Sequence, residues 1–517
     1  MDRYHAAAVD SAQVPQAASA MALSDVRTVA IIGAGVAGLA SARVLLAQGL
    51  HCTLFERAVA LGGVWAGGYA NFGTQVQREL YGFPDWPLPV DAPDFTPGAL
   101  VQAHLEAYAR HFGVWPNIRF DSTVTQVEPR DAGWQVHSLC GTQSSVEDFD
   151  LVVVCVGLYS NVPHVPDYPQ QASFSGTIMH VSALTTTAPL VGKRVAVVGF
   201  GKSASDAALE AAAVATETSL IFRNTHWPVP PLLAGLLPFK WAMLNRLTST
   251  LIPLYYQPSA VERVVHRLGS PLVWLWWRLV ECLLIVQYGL GPRRGTRADL
   301  TPELPIEFDA FGETVMLPRP SFYPKLRDGT ITPLPGEIAR LKPDGVVLDN
   351  GTELAIDVLV LATGWKSDYS FLSAETYARF GTVDDGLYLY RQIVHPDVPG
   401  LMFIGNAASI ASPLTYSLQA RWLGDLLAGC HQLPDNEAMR QNIVAMQRWK
   451  RATMPFSRGR GARLLLYMQH YHDELLTDIG ISPLRKRGPL APFKEVFAPY
   501  EPADYREIVE RTMTQRD

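Results

Sequence analysis

Gly33, Gly35 and Gly38 stand in the pattern Gly-x-Gly-x-x-Gly, directly after the apolar run Thr28-Val-Ala-Ile-Ile and directly before the small residues of a helix start. Glycines at this spacing recur by chance in loops, but a strand before them and a helix behind them give each one a task. The first permits a tight turn, the second lets the backbone approach a pyrophosphate, and the third lets helix and strand pack closely. Free amides and the positive end of the helix dipole then face the phosphates. Glu56 closes the next apolar stretch, His51 to Phe55, and lies 21 positions after Gly35. A carboxylate there accepts hydrogen bonds from both hydroxyls of an adenosine ribose.

The same order returns at Lys193-Arg-Val-Ala-Val-Val-Gly199-Phe-Gly201-Lys202-Ser203-Ala204, with alanine in the third glycine place. A second nucleotide site is implied. Behind its helix the stretch Ser219-Leu-Ile-Phe ends on Arg223, read as the counterpart of Glu56. A guanidinium pairs with a 2′-phosphate, which makes NADPH the expected second nucleotide, with Lys202 and Ser203 as further phosphate contacts.

Two such sites need two parallel sheets buried on both faces. Asp150-Leu-Val-Val-Val-Cys-Val-Gly157 and Asp357-Val-Leu-Val-Leu-Ala-Thr-Gly364 repeat one spacing around a continuous apolar strand, as the late strand of each sheet would. The fold class expected is α/β, with two Rossmann-like dinucleotide-binding domains, the second inserted in the first. Residues 1–26 read as a disordered leader and 27–158 as the first part of the outer domain. The inner domain takes 159–356 and carries a largely helical insertion at about 226–323. Residues 357–517 complete the outer domain and add a C-terminal helical tail. Within the insertion, the segment from Pro271 to Tyr288 is apolar around most of a helix, with Arg278 and Glu281 near its middle. Those charges argue against a membrane crossing. A buried helix lining a substrate channel is the first expectation, and an interfacial helix dipping into a bilayer the second.

Bulk composition narrows the class. The chain has 517 residues, 48% of them hydrophobic, and a formal net charge of −6, which speaks against a nucleic-acid partner. Cys52, Cys140, Cys155, Cys282 and Cys430 are far apart, with no CxxC and no Cys/His pair at zinc spacing. This pattern fits a reducing, cytoplasmic setting, gives no metal site and disfavours a disulfide reductase.

The first glycine loop followed by Glu56-Arg-Ala-Val-Ala-Leu-Gly62-Gly63-Val64-Trp65 resembles the class B flavoprotein monooxygenases, which include the flavin-containing and the Baeyer–Villiger monooxygenases. Phe174-Ser-Gly176-Thr-Ile-Met-His180 is similar to the family's FxGxxxH signature, and the loop from Gly199 to Asp206 resembles its second nucleotide loop. Ala362-Thr363-Gly364-Trp365 resembles its ATG box, and His395 to Trp422 its C-terminal flavin segment.

The resemblance implies FAD in the first site and NADPH in the second, with Gly63, Val64, Trp65, Thr74, Thr363 and Gly364 among the cofactor-binding residues. Gln75 stands where the family usually has an asparagine at the reactive edge of the flavin. His180 is either an aid to catalysis or a histidine that links two domains. The implied reaction reduces FAD with NADPH, forms a C4a-(hydro)peroxyflavin with O2, and passes one oxygen atom to nitrogen or sulfur in a small organic molecule. Baeyer–Villiger oxidation of a ketone and release of hydrogen peroxide as an NADPH oxidase are the alternatives. Peripheral membrane contact through the insertion and homo-oligomerisation stay open.

Overall fold

The computed structural model describes residues 23–159, 162–291, 299–312, 317–381 and 384–511. Two five-stranded parallel sheets organise it. The first runs in the order Leu401–Phe403, Leu151–Val154, Thr28–Ile32, His51–Phe55, Ile118–Arg119. The second runs Thr177–His180, Val358–Leu361, Arg194–Val198, Glu217–Phe222, Thr332–Pro335. Both central pairs are apolar runs with their residues buried, as strands covered on two faces require.

Each sheet carries helices on one face and a three-stranded antiparallel meander on the other. In the first unit, Ser122–Pro129, Trp134–Cys140 and Gln143–Phe149 bury Val127, Trp134 and Val136 against Ala30, Val152 and Val154. In the second, Ile338–Lys342, Gly345–Leu348 and Glu353–Ala355 bury Leu341, Val346 and Leu348 against Ala196, Leu359 and Leu361. On the helical face of the first sheet, Val36–Ala47 packs against Ser412–Leu427. A Cβ on Gly424 would come within 2.9 Å of Val44 Cγ1, so this glycine sets the close approach of the two helices.

The repeated acid is structural in both units. Asp150 accepts from the amide of Thr28 at 2.8 Å, and Asp357 from the amide of Arg194 at 2.8 Å, so each holds the start of a central strand. This topology moves the domain boundary expected at residue 357. The strand Val358–Leu361 pairs on both sides within the second sheet, because Asp357 anchors it there, and the chain returns to the first unit only beyond Gly364. The outward crossing, Val162–Pro163, and the return crossing, Trp365–Lys366, lie side by side as an antiparallel pair.

The insertion is mostly helical, with Phe239–Met243, Arg246–Leu251, Ala260–Leu268, Ser270–Tyr288 and Ile306–Gly312. Ser270–Tyr288 is long and apolar enough to cross a membrane by length and composition. The buried channel helix expected for this segment is not what forms. Only the stripe Val273, Trp277, Val280 and Leu284 is buried, because the segment has a single protein neighbourhood on one side. Arg278 turns to Glu281 and Glu307, at 3.0 and 2.5 Å. The C-terminal helices expected in the tail brace the insertion: Arg246 reaches Asp473 at 2.6 Å and the Tyr500 hydroxyl at 2.7 Å. Of the leader expected over 1–26, residues 1–22 lie outside the described residues, Leu23–Asp25 form a short 3-10 turn, and Val26 is buried in the main core.

Candidate active site

The first glycine loop is built so that one of its glycines is free of the tight packing that fixes the other two. Gly33 has φ +104°, and a Cβ there would come within 2.7 Å of the Cys155 carbonyl oxygen. At Gly38 the added atom would stand 1.9 Å from the Gly33 oxygen. These two glycines are demanded by packing. Gly35 is different, since its added Cβ would make only ordinary contacts with Gly63, at 3.7 Å to Cα and 3.9 Å to the amide nitrogen. Gly35 also N-caps Val36–Ala47 without any side-chain cap, which leaves the first amides of that helix for a ligand. Glu56 is buried and fastened to the same loop, accepting from the amides of Ala34 at 2.8 Å and Ala58 at 3.0 Å. Beyond Gly63 and the part-exposed Val64, Trp65 is buried, donates to the Tyr81 hydroxyl at 3.0 Å and stacks on Phe72.

The second loop copies the first. Gly199 has φ +125°, and a Cβ there would come within 2.7 Å of the Ala362 carbonyl oxygen, as Gly33 does with Cys155. Around Gly201 there is nothing within 4 Å, and this residue N-caps Lys202–Val214, again without a side-chain cap. The amides of Gly33 and Gly199 donate to Phe55 and Ile221, at 2.8 and 2.9 Å. That register corrects one expectation. Ile221 is the counterpart of Phe55, so Phe222 stands level with Glu56 and Arg223 lies one residue further on. The Arg223 side chain is 74% exposed at the strand end, with Glu337 4.0 Å away. Lys202 is also engaged: its ammonium lies 2.5 Å from Asp206, and burial lowers its pKa while Asp206 opposes that shift.

Thr74 is buried, and its hydroxyl accepts from the Thr96 amide at 2.9 Å. Gln75 beside it is exposed and has no hydrogen-bond partner among the described residues. His180 is buried with both ring nitrogens occupied, Nδ1 by the Ser182 hydroxyl at 2.9 Å and Nε2 by the Gly364 carbonyl at 3.1 Å. Burial chiefly pushes its pKa down. The Thr363 hydroxyl donates to the His164 carbonyl, and the His164 amide to Gly364 at 2.9 Å. His180, Thr363 and Gly364 are therefore brought together where the two crossing segments meet.

One residue here, Gln392, was not legible in the sequence, although its neighbours Gly405 and Asn406 lie in the flavin segment read from His395 to Trp422. Gly405, with φ +98°, brings the chain so near the first helix that an added Cβ would stand 2.9 Å from Ala37 Cβ. There Asn406 donates to Gln392 Oε1 at 3.1 Å, and Gln392 is fully buried with φ +55°. The Gln392 Nε2 has no partner among the described residues, an unsatisfied buried donor on the side chain that Asn406 holds. A bound dinucleotide offers the acceptor it lacks, and together with the open face of Gly35 this fits FAD. No spacing rule marks a glutamine that becomes informative through burial and left-handed backbone.

A model of the family described as "FMO-like: Flavin-binding monooxygenase-like" matches residues 26–267 and 327–509. The chain belongs to this family. It is therefore a flavin monooxygenase, an oxidoreductase of α/β fold whose cofactors are FAD and NADPH. A probable flavin-containing monooxygenase 1 from Arabidopsis thaliana is 29% identical over 92% of this chain and 96% of its own length. Two solved structures share the fold. S-allyl-L-cysteine S-oxygenase from Allium sativum matches with a TM-score of 0.61 at 20% identity, covering 97% of this chain and 95% of that one. Cyclohexanone monooxygenase from Rhodococcus sp. Phi1 bound to NADP+ matches with a TM-score of 0.66 at 18% identity, covering 88% and 97%. The stretch that the flavin monooxygenase model leaves unmatched, 268–326, contains the helix Ser270–Tyr288.

Proposed function

We propose that this flavin monooxygenase transfers one oxygen atom from O2 to a nitrogen or sulfur of a small organic molecule. The observation that carries the reading is the pair of matched loops, each with one middle glycine that no close packing demands, Gly35 and Gly201. Bound FAD supplies the redox chemistry, accepting hydride from NADPH and activating O2. The chain's own residues bind and orient. The amides behind Gly35 receive the FAD pyrophosphate, Glu56 takes the ribose hydroxyls, and Gln392 Nε2 donates to the flavin nucleotide. The amides behind Gly201 and the Ser203 hydroxyl receive the NADPH phosphates, and Arg223 reads the 2′-phosphate. Gln75 donates to the reactive edge of the flavin. His180 positions the Gly364 turn. Heteroatom oxygenation is preferred to ester formation because a relative named for N-oxide formation, dimethylaniline monooxygenase 2 from Mus musculus, aligns over 93% of this chain, whereas the cyclohexanone enzyme is alike in fold alone.

The test is turnover with NADPH on a tertiary amine, a thioether and a cyclic ketone, following O2 uptake, peroxide release and product mass. The amine or thioether should gain one oxygen atom for each NADPH consumed. Lactone as the sole product, or peroxide equal to the O2 consumed, would replace this reading by one of the two alternatives.

A second reading concerns location, and one observation favours it. Leu272, Leu275, Trp276, Leu279, Leu283 and Val286 form an exposed face opposite the buried stripe of Ser270–Tyr288, with Leu272 72% and Val286 73% exposed. Val261, Val264 and Leu268 add exposed apolar surface on the preceding helix. Arg263 and Arg267 are exposed there, while Glu262 is buried on His470, so the exposed charges of this helix are basic in a chain of net negative charge. This combination fits an anionic bilayer surface. Sedimentation with phosphatidylcholine vesicles containing phosphatidylglycerol should carry the protein down, and Leu272→Glu with Leu279→Glu should release it. Self-association of the wild-type protein, lost in the same variant without vesicle binding, would assign the face to a second copy instead.

A further inference from the structure

Where the helix behind the second nucleotide loop meets the flavin unit, a buried carboxylate joins the two. Asp206, in the second turn of Lys202–Val214, is fully buried. Its Oδ2 accepts from the Tyr69 hydroxyl at 2.9 Å and from the Lys202 ammonium at 2.5 Å, and its Oδ1 faces Arg319 Nε at 3.1 Å. One turn on, Glu210 accepts from Arg319 Nη1 at 2.7 Å and from Asn71 Nδ2 at 2.9 Å. Arg319 Nη2 donates to the Asn71 carbonyl at 2.7 Å, and the Ala70 amide to the Leu184 carbonyl at 2.8 Å. Residues 69–71 belong to the flavin unit; Leu184, Lys202, Asp206, Glu210 and Arg319 do not. The segment from Tyr69 runs through Phe72, which stacks on Trp65, to Thr74 and Gln75.

We propose that Tyr69 and Asp206 are positioning residues that couple nucleotide binding in the second loop to the placement of Gln75 at the flavin. The proposal rests on the assignment of NADPH to the second loop and extends it. In the free protein the two acids and two cations of the seam balance, and Lys202 is held by Asp206. A pyrophosphate at the start of the helix competes for the same ammonium. As Lys202 turns toward the phosphate, Asp206 loses one of its two donors in a buried place and leans harder on the Tyr69 hydroxyl that remains and on the charge of Arg319. Both pull on the segment that leads to Gln75. The Tyr69 phenol is suited to this task, since burial first and the charge of Asp206 second raise its pKa far above the ordinary value and keep it a donor. Ser203, in the loop itself, adjoins the same phenol.

The experiment is hydrogen exchange of the FAD-loaded full-length chain with and without saturating NADP+, read over peptides covering residues 66–75, alongside NADP+ affinity measured by calorimetry. In the wild-type protein NADP+ should slow exchange of this segment at least about threefold. Tyr69→Phe removes one hydroxyl from a packed ring. It should retain FAD and bind NADP+ within about threefold of wild type, less than the ~1 kcal/mol of a typical hydrogen bond would change it, yet lose the slowing. Asp206→Asn, which keeps the shape of the side chain, should lose it as well. NADP+ that binds normally while the segment exchanges at the same rate, or slowing that persists in Tyr69→Phe, would overturn the coupling alone. Failure of the wild-type protein to bind NADP+ would overturn the nucleotide assignment and the coupling together.

Discussion

At the scale of single residues, the two loops divide their glycines between packing and ligand, and substitution separates the two duties. Gly35→Val leaves the backbone unobstructed but fills the space between Gly35 and Gly63. The purified variant should stay folded by circular dichroism and lose FAD content at least about tenfold, the equivalent of ~1.4 kcal/mol. Gly38→Ala, a smaller change, puts a Cβ against the Gly33 oxygen and should cost about 1–3 kcal/mol or more of stability by urea denaturation. Flavin retained in the valine variant would contradict the assignment of the open face. Arg223→Ala should raise the KM for NADPH and leave that for NADH nearly unchanged. A charge-assisted contact is worth about 1.5–3 kcal/mol, and the exposure of this arginine places the effect at the low end, near about tenfold. The glycine spacing made the cradle readable, because packing and phosphate approach each demand glycine at a fixed place. The level of Arg223 was misread by one residue. Gly35 to Glu56 spans 21 positions and Gly201 to Arg223 spans 22, and only the hydrogen-bonded register shows which strand absorbs the difference.

Among the elements, Ser270–Tyr288 shows what periodicity leaves undecided. Its residues are apolar on nearly every side, so the sequence marks a helix without saying which stripe the protein covers. The structure chooses the side of Trp277, whose indole donates to the Leu251 carbonyl at 2.8 Å. Trp277→Ala should destabilise the insertion by about 3–5 kcal/mol, and Trp276→Ala on the outer face by less than about 1 kcal/mol, as measured by denaturant unfolding. Equal losses would mean that the outer face is also buried. The neighbouring helix Ala260–Leu268 carries a pH signature. Burial pushes the Glu262 carboxyl up, but His470 and the Ser259 cap outweigh it and hold the pKa down at about 2. A lowered folded-state pKa stabilises the protein above the ordinary value of 4.5 and loses that stabilisation as pH falls toward 2. Glu262→Gln should be less stable than wild type at neutral pH and should show a flatter stability profile between those two values. Parallel profiles would exclude the carboxylate as the source.

For the whole molecule, one nucleotide-binding plan is used twice. The repeated strand runs, the repeated acids Asp150 and Asp357 and the repeated glycine loops were all legible, because each is local in the chain and dictated by the same backbone requirement. The seam between the units was not, because Tyr69, Asp206 and Arg319 are far apart in sequence and meet only through the topology. The boundary at 357 cut off a strand that the repeat itself gives to the second sheet, since Val358–Leu361 follows directly. Division of labour between the two copies is the central claim, with FAD in the first and NADPH in the second. Its most direct test is anaerobic titration of the FAD-loaded protein with NADPH, followed by the loss of the oxidised flavin band. One equivalent of NADPH should bleach one equivalent of FAD in the wild-type protein, while Gly201→Val should hold its FAD and remain oxidised. Bleaching of that variant at the wild-type rate and NADPH concentration, or a wild-type flavin that NADPH leaves oxidised, would contradict the account.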